Sequence, residues 1–324
     1  MKNWLIAAGA LAIVGCSNAP AQSQAPWRHA IAPTSSAGFQ VMSVRGAFSY
    51  KQGVDILLPV MQNDAVMLRA LLAGELESYE GEAAAAIIAG SQGADVKIVG
   101  CHWPAALHGV FARTELKSAD GMKGATMATS APGTTPDMIG KAWLTQNNIA
   151  LSDVRLASVG SDAERLKALQ SKAALAASIS IEYQPIAEKQ GIKLVMRGSD
   201  VLPNHLRLCT VSTGKALQSR REDAVRFVTA QMQGLKHALA NKDEEIKITR
   251  QMMRVKADDP RPEFMFNEAK NPKTGIDPAM PIDMDKLKWL QEHLVNVGVI
   301  KQTYNLTGIV DGSVREQALG RARL

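Results

Sequence analysis

Strand-like and helix-like runs alternate along most of this 324-residue chain, and the alternation occurs twice. In the first series "HAIAP" (His29–Pro33) reads as a strand, followed by a Thr-Ser-Ser-Ala-Gly loop and a helix-like run. "GVDILLPV" (Gly53–Val60) reads as a second strand. "DAVMLRALLAG" (Asp64–Gly74) reads as a helix with Val66, Leu68, Leu71 and Leu72 on its apolar side and Gly74 as its stop. "VKIVGCH" and "GVFART" follow as strands. The second series runs "ATMATS", a helix from Pro136 to Gln146, "VRLASV", a helix from Asp162 to about Lys172, "ALAASISI" and "IKLVMR". Such alternation predicts α/β layers around a largely parallel sheet.

The two series are built alike. "MLRALLAGELESYEG" (Met67–Gly81) and "RLKALQSKAALAASI" (Arg165–Ile179) each carry an Ala-Leu pair on a helix, then a turn into a small-residue strand. The pairs Ala70-Leu71 and Ala168-Leu169 stand 98 residues apart. Two lobes meeting across a cleft, with the carboxyl ends of their strands lining it, follow from this pattern. The composition changes after "LRLCTVSTG": Arg220–Asn241 reads as a long helix, and a Pro/Lys/Asp-rich linker leads to the helix "DMDKLKWLQEHLVNVG". The expected division is 1–26 as signal peptide and linker, 27–115 as the first part of lobe 1, 116–210 as lobe 2, and 211–324 as the helical completion of lobe 1. The chain would cross between lobes near Arg113–Ser118 and return near Leu206–Thr213, making a two-segment hinge.

The amino terminus reads as an export signal: Lys2 precedes the apolar run Trp4–Val14, too short to span a membrane and suited to a signal-peptide core. Two processing routes are open. "IVGC" (Ile13–Cys16) resembles a bacterial lipobox, which would place a lipid anchor on Cys16; "APA" (Ala19–Ala21) is an A-x-A cleavage site releasing a protein that starts at Gln22. The lipobox is favoured because all four residues fall in register. Cys101 and Cys209 sit in strand-like apolar contexts, as buried free thiols or as a disulfide formed in an oxidising compartment. No C-x-x-C pair points to zinc.

Hydrophobic residues make up 46% and charged residues 21%, a soluble globular balance. The formal charge of +6 is scattered, with no basic block interleaved with aromatics, so nucleic acid is a poor partner. Catalytic motifs are thin. Cys101-His102 would point to opposite faces of a strand, and "STGK" (Ser212–Lys215) with "KTG" (Lys273–Gly275) lacks the intervening S-x-N of penicillin-binding enzymes. No enzyme, cofactor or metal site is expected.

One junction suits a ligand. In "MATSAPGTTPDMIGKAWL" (Met127–Leu144), a strand-like run breaks on Ser130-Ala131-Pro132-Gly133, and Thr135 (helix cap) with Pro136 (first helical position) starts a helix whose free N–H groups suit an anion. The same residues also suit an ordinary capped loop.

The ordered run Leu116–Gly160, "LKSADGMKGATMATSAPGTTPDMIGKAWLTQNNIALSDVRLASVG", together with "ALLAGELE", "VKIVG", "GVFART" and "QPIAEKQGIKLV", resembles the bacterial periplasmic substrate-binding proteins of ABC importers. The similar branch includes binders of aliphatic sulfonates, taurine, nitrate and thiamine precursors, and the resemblance covers about Trp27 to Val310. It implies a two-lobed type II periplasmic-binding-protein fold, each lobe a mixed sheet flanked by helices. It also implies a monomer that takes a small-molecule solute and presents it to a membrane permease. Departures are Glu77 where Asp is usual, Asn148-Ile149 where Gly-Leu is usual, and Lys172 and Leu175 where Gly and Asp are usual; the last two bring the local turn into question.

Ligand contacts are expected from Ser130, Gly133, Thr134 and Thr135 in one lobe, and from Thr34, Ser35, Ser36 and Phe39 in the other, with Ser35 and Ser36 facing Ser130, Thr134 and Thr135. The resemblance adds Gly81 and Glu82 after the first-lobe motif, and Glu182 and Tyr183 at the second lobe's edge. Trp103 suits either a ring contact or packing. Glu80, Glu82 and Glu182 disfavour a bare anion, so either they point away or the ligand also carries a cation, as an amino-sulfonate, amine or heterocycle would. A ligand-delivery module for a sensory partner is the alternative role.

Overall fold

The computed structural model of the protein describes residues 25–45 and 47–324. The signal-peptide reading and the lipobox Cys16 lie outside the described residues. The elements run β1 (Trp27–Ala30), α1 (Ala37–Arg45), α2 (Phe48–Gln52), β2 (Ile56–Leu57), α3 (Asp64–Leu72), β3 (Ser78–Gly81), α4 (Ala83–Ser91), β4 (Lys97–Trp103) and β5 (His108–Arg113). They continue with β6 (Thr126–Thr129), α5 (Thr135–Gln146), β7 (Arg155–Ser158), α6 (Asp162–Gln170), β8 (Ala176–Ser180), α7 (Gln184–Glu188), β9 (Ile192–Arg197) and α8 (Gly198–Val201). The chain ends with β10 (Leu208–Ser212), α9 (Gly214–Ser219), α10 (Arg221–Ala240), α11 (Lys242–Met253), α12 (Arg261–Ala269), α13 (Met284–Asn296) and α14 (Gly312–Ala322).

Among the described residues the strands form two five-stranded sheets, ordered β2-β1-β3-β10-β4 and β7-β6-β8-β5-β9. The sheets are mixed, and one strand in each accounts for the antiparallel pairs. β5 runs against β8 and β9, and β10 runs against β3 and β4. These are the two strands that enter a sheet from the opposite lobe, which reverses their direction. The remaining pairs, β1 with β2 and β3 and β6 with β7 and β8, are parallel.

Two expectations are corrected here. "GVFART" does not belong to lobe 1: β5 is a central strand of the second sheet, buried from His108 to Ala112 and paired on both edges. The first crossing therefore falls between Trp103 and His108, and the return falls before Leu208. "GVDILLPV" forms a strand only at Ile56–Leu57, with a separate bridge from Ile31 to Val60; Pro59 between them has no N–H for the ladder.

Helices of the carboxyl-terminal third pack on elements of the first lobe. α10 carries buried Ala224, Val225, Phe227, Val228, Met232 and Leu235, and packs on α1, α2 and α14. The outer edge of β4 is covered by a bridge from Ile98 to Val310 and by the Cys101 N–H donating to the Met280 carbonyl at 3.3 Å, which removes an exposed edge. Cys101 and Cys209, register partners on β4 and β10, form a disulfide.

Asn148 and Lys172, two of the departures noted from the resemblance, both adopt positive φ, 58° and 64°, the region glycine occupies without steric cost. Glu77 accepts from the Arg28 backbone N–H at 2.7 Å and from its guanidinium at 2.8 and 3.0 Å.

Candidate functional site

The lobes meet where β1, β3, β6, β7 and β8 hand over to the segments after them. Two connected segments cross this face: the residues between β4 and β5, and those between α8 and β10. They are hydrogen-bonded to each other, the Arg207 N–H donating to the Trp103 carbonyl at 3.1 Å.

A cavity of about 80 Å³ lies at this junction, with Ser35, Ser36 and Arg207 on one side and His108, Asp162 and Glu182 on the other. Ser35 and Ser36 are held by the start of α1, and Thr34 Oγ1 pairs with Ser36 Oγ at 3.0 Å. The Ser35 hydroxyl donates to the Glu182 carboxylate across the lobes. Glu182 sits in a single turn, Ile181–Tyr183, and Arg261 of α12 approaches it at 3.8 Å. Burial pushes the Glu182 carboxyl up, against the lowering effect of the Ser35 hydrogen bond.

Asp162 opens α6. Burial alone would raise its carboxyl, but His108, Arg165 and the Ser180 N–H outweigh it and hold it well below the usual range. His108 Nε2 lies 3.6 Å from Asp162, and its Nδ1 is buried with no hydrogen-bond partner.

Arg207 is 17% exposed at its side chain, and its Nη1 lies 3.3 Å from Glu82 Oε1. Its Nε and Nη1 are shielded from solvent and make no hydrogen bond. Beyond Arg207 the cleft widens into a chamber of about 680 Å³ between α3 and α4 on one side and the Ser130–Thr134 loop on the other. α4, "AAAAIIAGS", is apolar all round: Ala83, Ala84, Ala86, Ile87 and Ala89 are buried, while Ala85 and Ile88 face the chamber.

Glu82 and Thr135 divide the two spaces. The Thr135 hydroxyl, fully buried, donates to Glu82 and lies 3.3 Å from His205 Nε2. Burial raises the Glu82 carboxyl, but Arg207, His205 and Thr135 outweigh it and hold the group below its ordinary value. Asp64, which accepts the Glu82 N–H at 3.0 Å, is pushed up to about 6 by burial. Burial lowers His205 to about 4, so it is neutral near pH 7.

The anion site expected at the start of α5 is already supplied from within the protein. Thr134 rather than Thr135 is the cap residue, and its hydroxyl donates to the Ala131 carbonyl at 2.6 Å and pairs with Ser130. Pro136 is consequently the second helical residue. The Gly133 N–H donates to Asp137 Oδ2 at 2.8 Å, which also receives Lys141. A carboxylate four residues along occupies the place an anion would take.

The expected facing of Ser35 and Ser36 against Ser130, Thr134 and Thr135 is also not what joins the lobes. Ser35 and Thr135 each bridge to a glutamate of the other lobe, whereas Ser130, Gly133 and Thr134 line the wider chamber. Phe39 and Trp103 pack edge-to-face in the core with ring centroids 6.0 Å apart, and the Trp103 indole donates to the Thr274 carbonyl at 2.9 Å. Neither faces the cleft. Gly81 ends β3 with the Tyr79 ring so close that a Cβ would lie 2.2 Å from it. Tyr183 lies under the Arg261 guanidinium at 5.1 Å, and burial pushes its hydroxyl up to about 12. Glu80 points into lobe 1, 3.1 Å from His102.

Arg207, His108, Asp162, His205 and Asp64 were not singled out from the sequence. Arg207 lies in "HLRLC", a single cation in an apolar run, and only its position at the return crossing brings it into the cleft.

The fold has many solved counterparts. The aliphatic sulphonate binding protein SsuA of Escherichia coli superposes with a TM-score of 0.75 at 16% identity, covering 88% of this chain and 92% of that one. The nitrate-binding protein NrtA of Synechocystis PCC 6803 gives 0.72 at 11% identity, covering 91% and 88%. The desulfurization enzyme DSZB gives 0.68 at 14% identity, covering 91% and 99%. The shared fold is that of periplasmic binding proteins. No curated protein sequence matches the chain. The profile described as NMT1/THI5 like matches residues 36–245, and with two mixed sheets meeting at a polar cleft the chain belongs to that family.

Proposed function

We propose that this protein is the solute-binding component of an ABC importer, capturing a small organic molecule between its lobes and delivering it to a membrane permease. The observation that carries this reading is the cavity itself: both lobes contribute charged and polar side chains to it, and two short segments join them. A ligand that touches both lobes favours the closed arrangement over the open one, and closure is the signal a permease can read. SsuA and NrtA are binding proteins on this fold, which supports a carrier. DSZB is an enzyme on it, so fold alone does not decide. The bridging contacts support a carrier: Ser35 and Thr135 each bond a carboxylate of the opposite lobe, so the groups that line the cleft are also the ones that join the lobes.

No helix among the described residues is long and apolar enough to cross a membrane. Export by the amino-terminal signal, with a lipid on Cys16, would hold the protein on the outer side of the membrane beside its permease, as a monomer. Radiolabelled palmitate on the wild type, absent from Cys16→Ser, tests the anchor.

The function is tested by thermal shift of the purified protein against taurine, alkanesulfonates, nitrate, aromatic carboxylates, pyrimidines and flavins, because a ligand bound only by the folded state raises Tm. A saturable shift with one class, reduced by Ser35→Ala, is expected. No shift with any class at millimolar concentration would contradict a solute carrier and favour a module that acts on a protein partner.

A further inference from the structure

The cavity at the lobe junction has two poles, each only partly satisfied within the protein. At one pole Arg207 is ion-paired to Glu82 through Nη1 at 3.3 Å, without hydrogen-bond geometry, and its Nε is shielded from solvent with no hydrogen-bond partner. At the other, Glu182 Oε2 receives the Ser35 hydroxyl, and Arg261 approaches Oε1 at 3.8 Å. Arg261 itself is engaged by Asp259, at 3.0 Å through Nε and 2.7 Å through Nη2. His108, 9% exposed at its side chain, adds an unpartnered nitrogen, Nδ1, among the lining groups. A buried donor left unpaired, like a buried carboxylate left half-paired, costs free energy that a matching ligand group removes.

The sign of the surroundings decides what such a ligand can be. Arg207 is already flanked by Glu82 and influenced by Asp64, and the same cavity holds Asp162 and Glu182. A bare anion placed on Arg207 would meet carboxylates on its other sides, and a bare cation placed on Glu182 would leave Arg207 Nε without a partner. The cavity is also much the smaller of the two spaces in the cleft, about 80 Å³ against about 680 Å³, which suits a compact head.

Resting on the carrier reading above, we infer that Arg207 and Glu182 are the opposite poles of the specificity site, and that the solute carries a carboxylate or sulfonate for Arg207 together with an ammonium, a few bonds away, for Glu182. Simple sulfonates and nitrate, the cargo named for the SsuA and NrtA proteins, are thereby poor solutes for this cleft.

Isothermal titration of the purified protein with matched probes separates the poles: β-alanine and taurine carry both charges, propionate and ethanesulfonate lack the ammonium, and ethylamine lacks the acid. The zwitterions are expected to bind at least about ten-fold more tightly than their single-charge partners, the difference one charge-assisted hydrogen bond makes. Arg207→Gln should abolish binding of both zwitterions. Glu182→Gln, which keeps the shape and should fold if Arg207→Gln does not, should erase most of the preference for taurine over ethanesulfonate. Equal binding of taurine and ethanesulfonate, or an undiminished preference in Glu182→Gln, would overturn the inference. If all five probes fail while another compound class raises Tm, the inference falls and the carrier reading stands. If nothing binds at all, both fall.

Discussion

Arg197, at the end of β9 in the second lobe, and Glu268, in α12 of the first, are joined by two parallel hydrogen bonds of 2.9 and 3.0 Å. This bidentate pair lies away from the cavity and ties the lobes without touching what lies between them. Arg197 is 37% exposed and Glu268 14%, so solvent screens the attraction in part. Glu268→Gln should bias the lobes toward the open state by about 1 kcal/mol, near the upper end for a partly exposed pair, and weaken solute binding about five-fold. Titration calorimetry of the variant checks this, together with a scattering profile in which the unliganded protein is more extended than wild type.

Gly133 is a further point of contact between the lobes. Its φ is +81°, and a Cβ there would lie 2.5 Å from Val299 Cγ2, which belongs to the segment following α13. Gly133→Ala therefore meets both a left-handed backbone and a clash on closing, together costing about 2 kcal/mol or more. The clash is between lobes, so affinity should fall by more than the loss of Tm alone would suggest. Calorimetry of unfolding beside calorimetry of binding separates the two.

The disulfide between Cys101 and Cys209 closes a loop of sequence separation 108 that contains the entire second lobe. Each cysteine stands within two residues of a crossing: β4 ends at Trp103 and β10 begins at Leu208. Replacing both by alanine should destabilise the protein by about 2–4 kcal/mol, read as a lower urea midpoint. Treatment of the wild type with a thiol reductant should reproduce the shift, and should leave the double variant unaffected.

The strand–helix alternation and the helices α3, α5, α6, α10 and α13 were legible because they rest on local periodicity: the apolar spacing of Asp64–Leu72 and the small-residue run Ala176–Ser180 identify themselves. The sheet to which "GVFART" belongs was not legible. That depends on pairing with β8 and β9, more than sixty residues downstream, and no local signal distinguishes an edge of one lobe from the centre of the next. The candidate site divided the same way. Ser35, Ser36 and Thr135 sit at strand-to-helix junctions that the pattern exposes, Glu82 and Glu182 came from the family resemblance, and all five lie where the lobes face each other. Phe39 and Trp103 failed because an aromatic near a cleft loop carries no mark of which way it points. Arg207 and His108 escaped because a lone Arg or His in an apolar run looks like any other until the crossing places it.

Glu245 gives the protein a pH dependence that one substitution can isolate. It is fully buried in α11, accepts the Thr249 hydroxyl at 2.6 Å, and leaves Oε2 unpartnered. Burial pushes its carboxyl up to about 7. The folded state thus holds a proton that the unfolded state releases near pH 4.5, so this group's contribution is full below the unfolded value and falls as pH rises to about 7. Glu245→Gln, which imitates the protonated acid, should raise stability at pH 8 by about 2 kcal/mol and change little at pH 4. Urea unfolding of both proteins at the two pH values gives the comparison.

Closure around a solute is the centre of this account, and small-angle X-ray scattering measures it directly. The solute found by thermal shift would be titrated into the purified protein while the radius of gyration is followed. A decrease that saturates with the same midpoint as binding is the expected result. Saturable binding with an unchanged radius, in the wild type and in Glu268→Gln alike, would contradict a carrier that works by closing its two lobes.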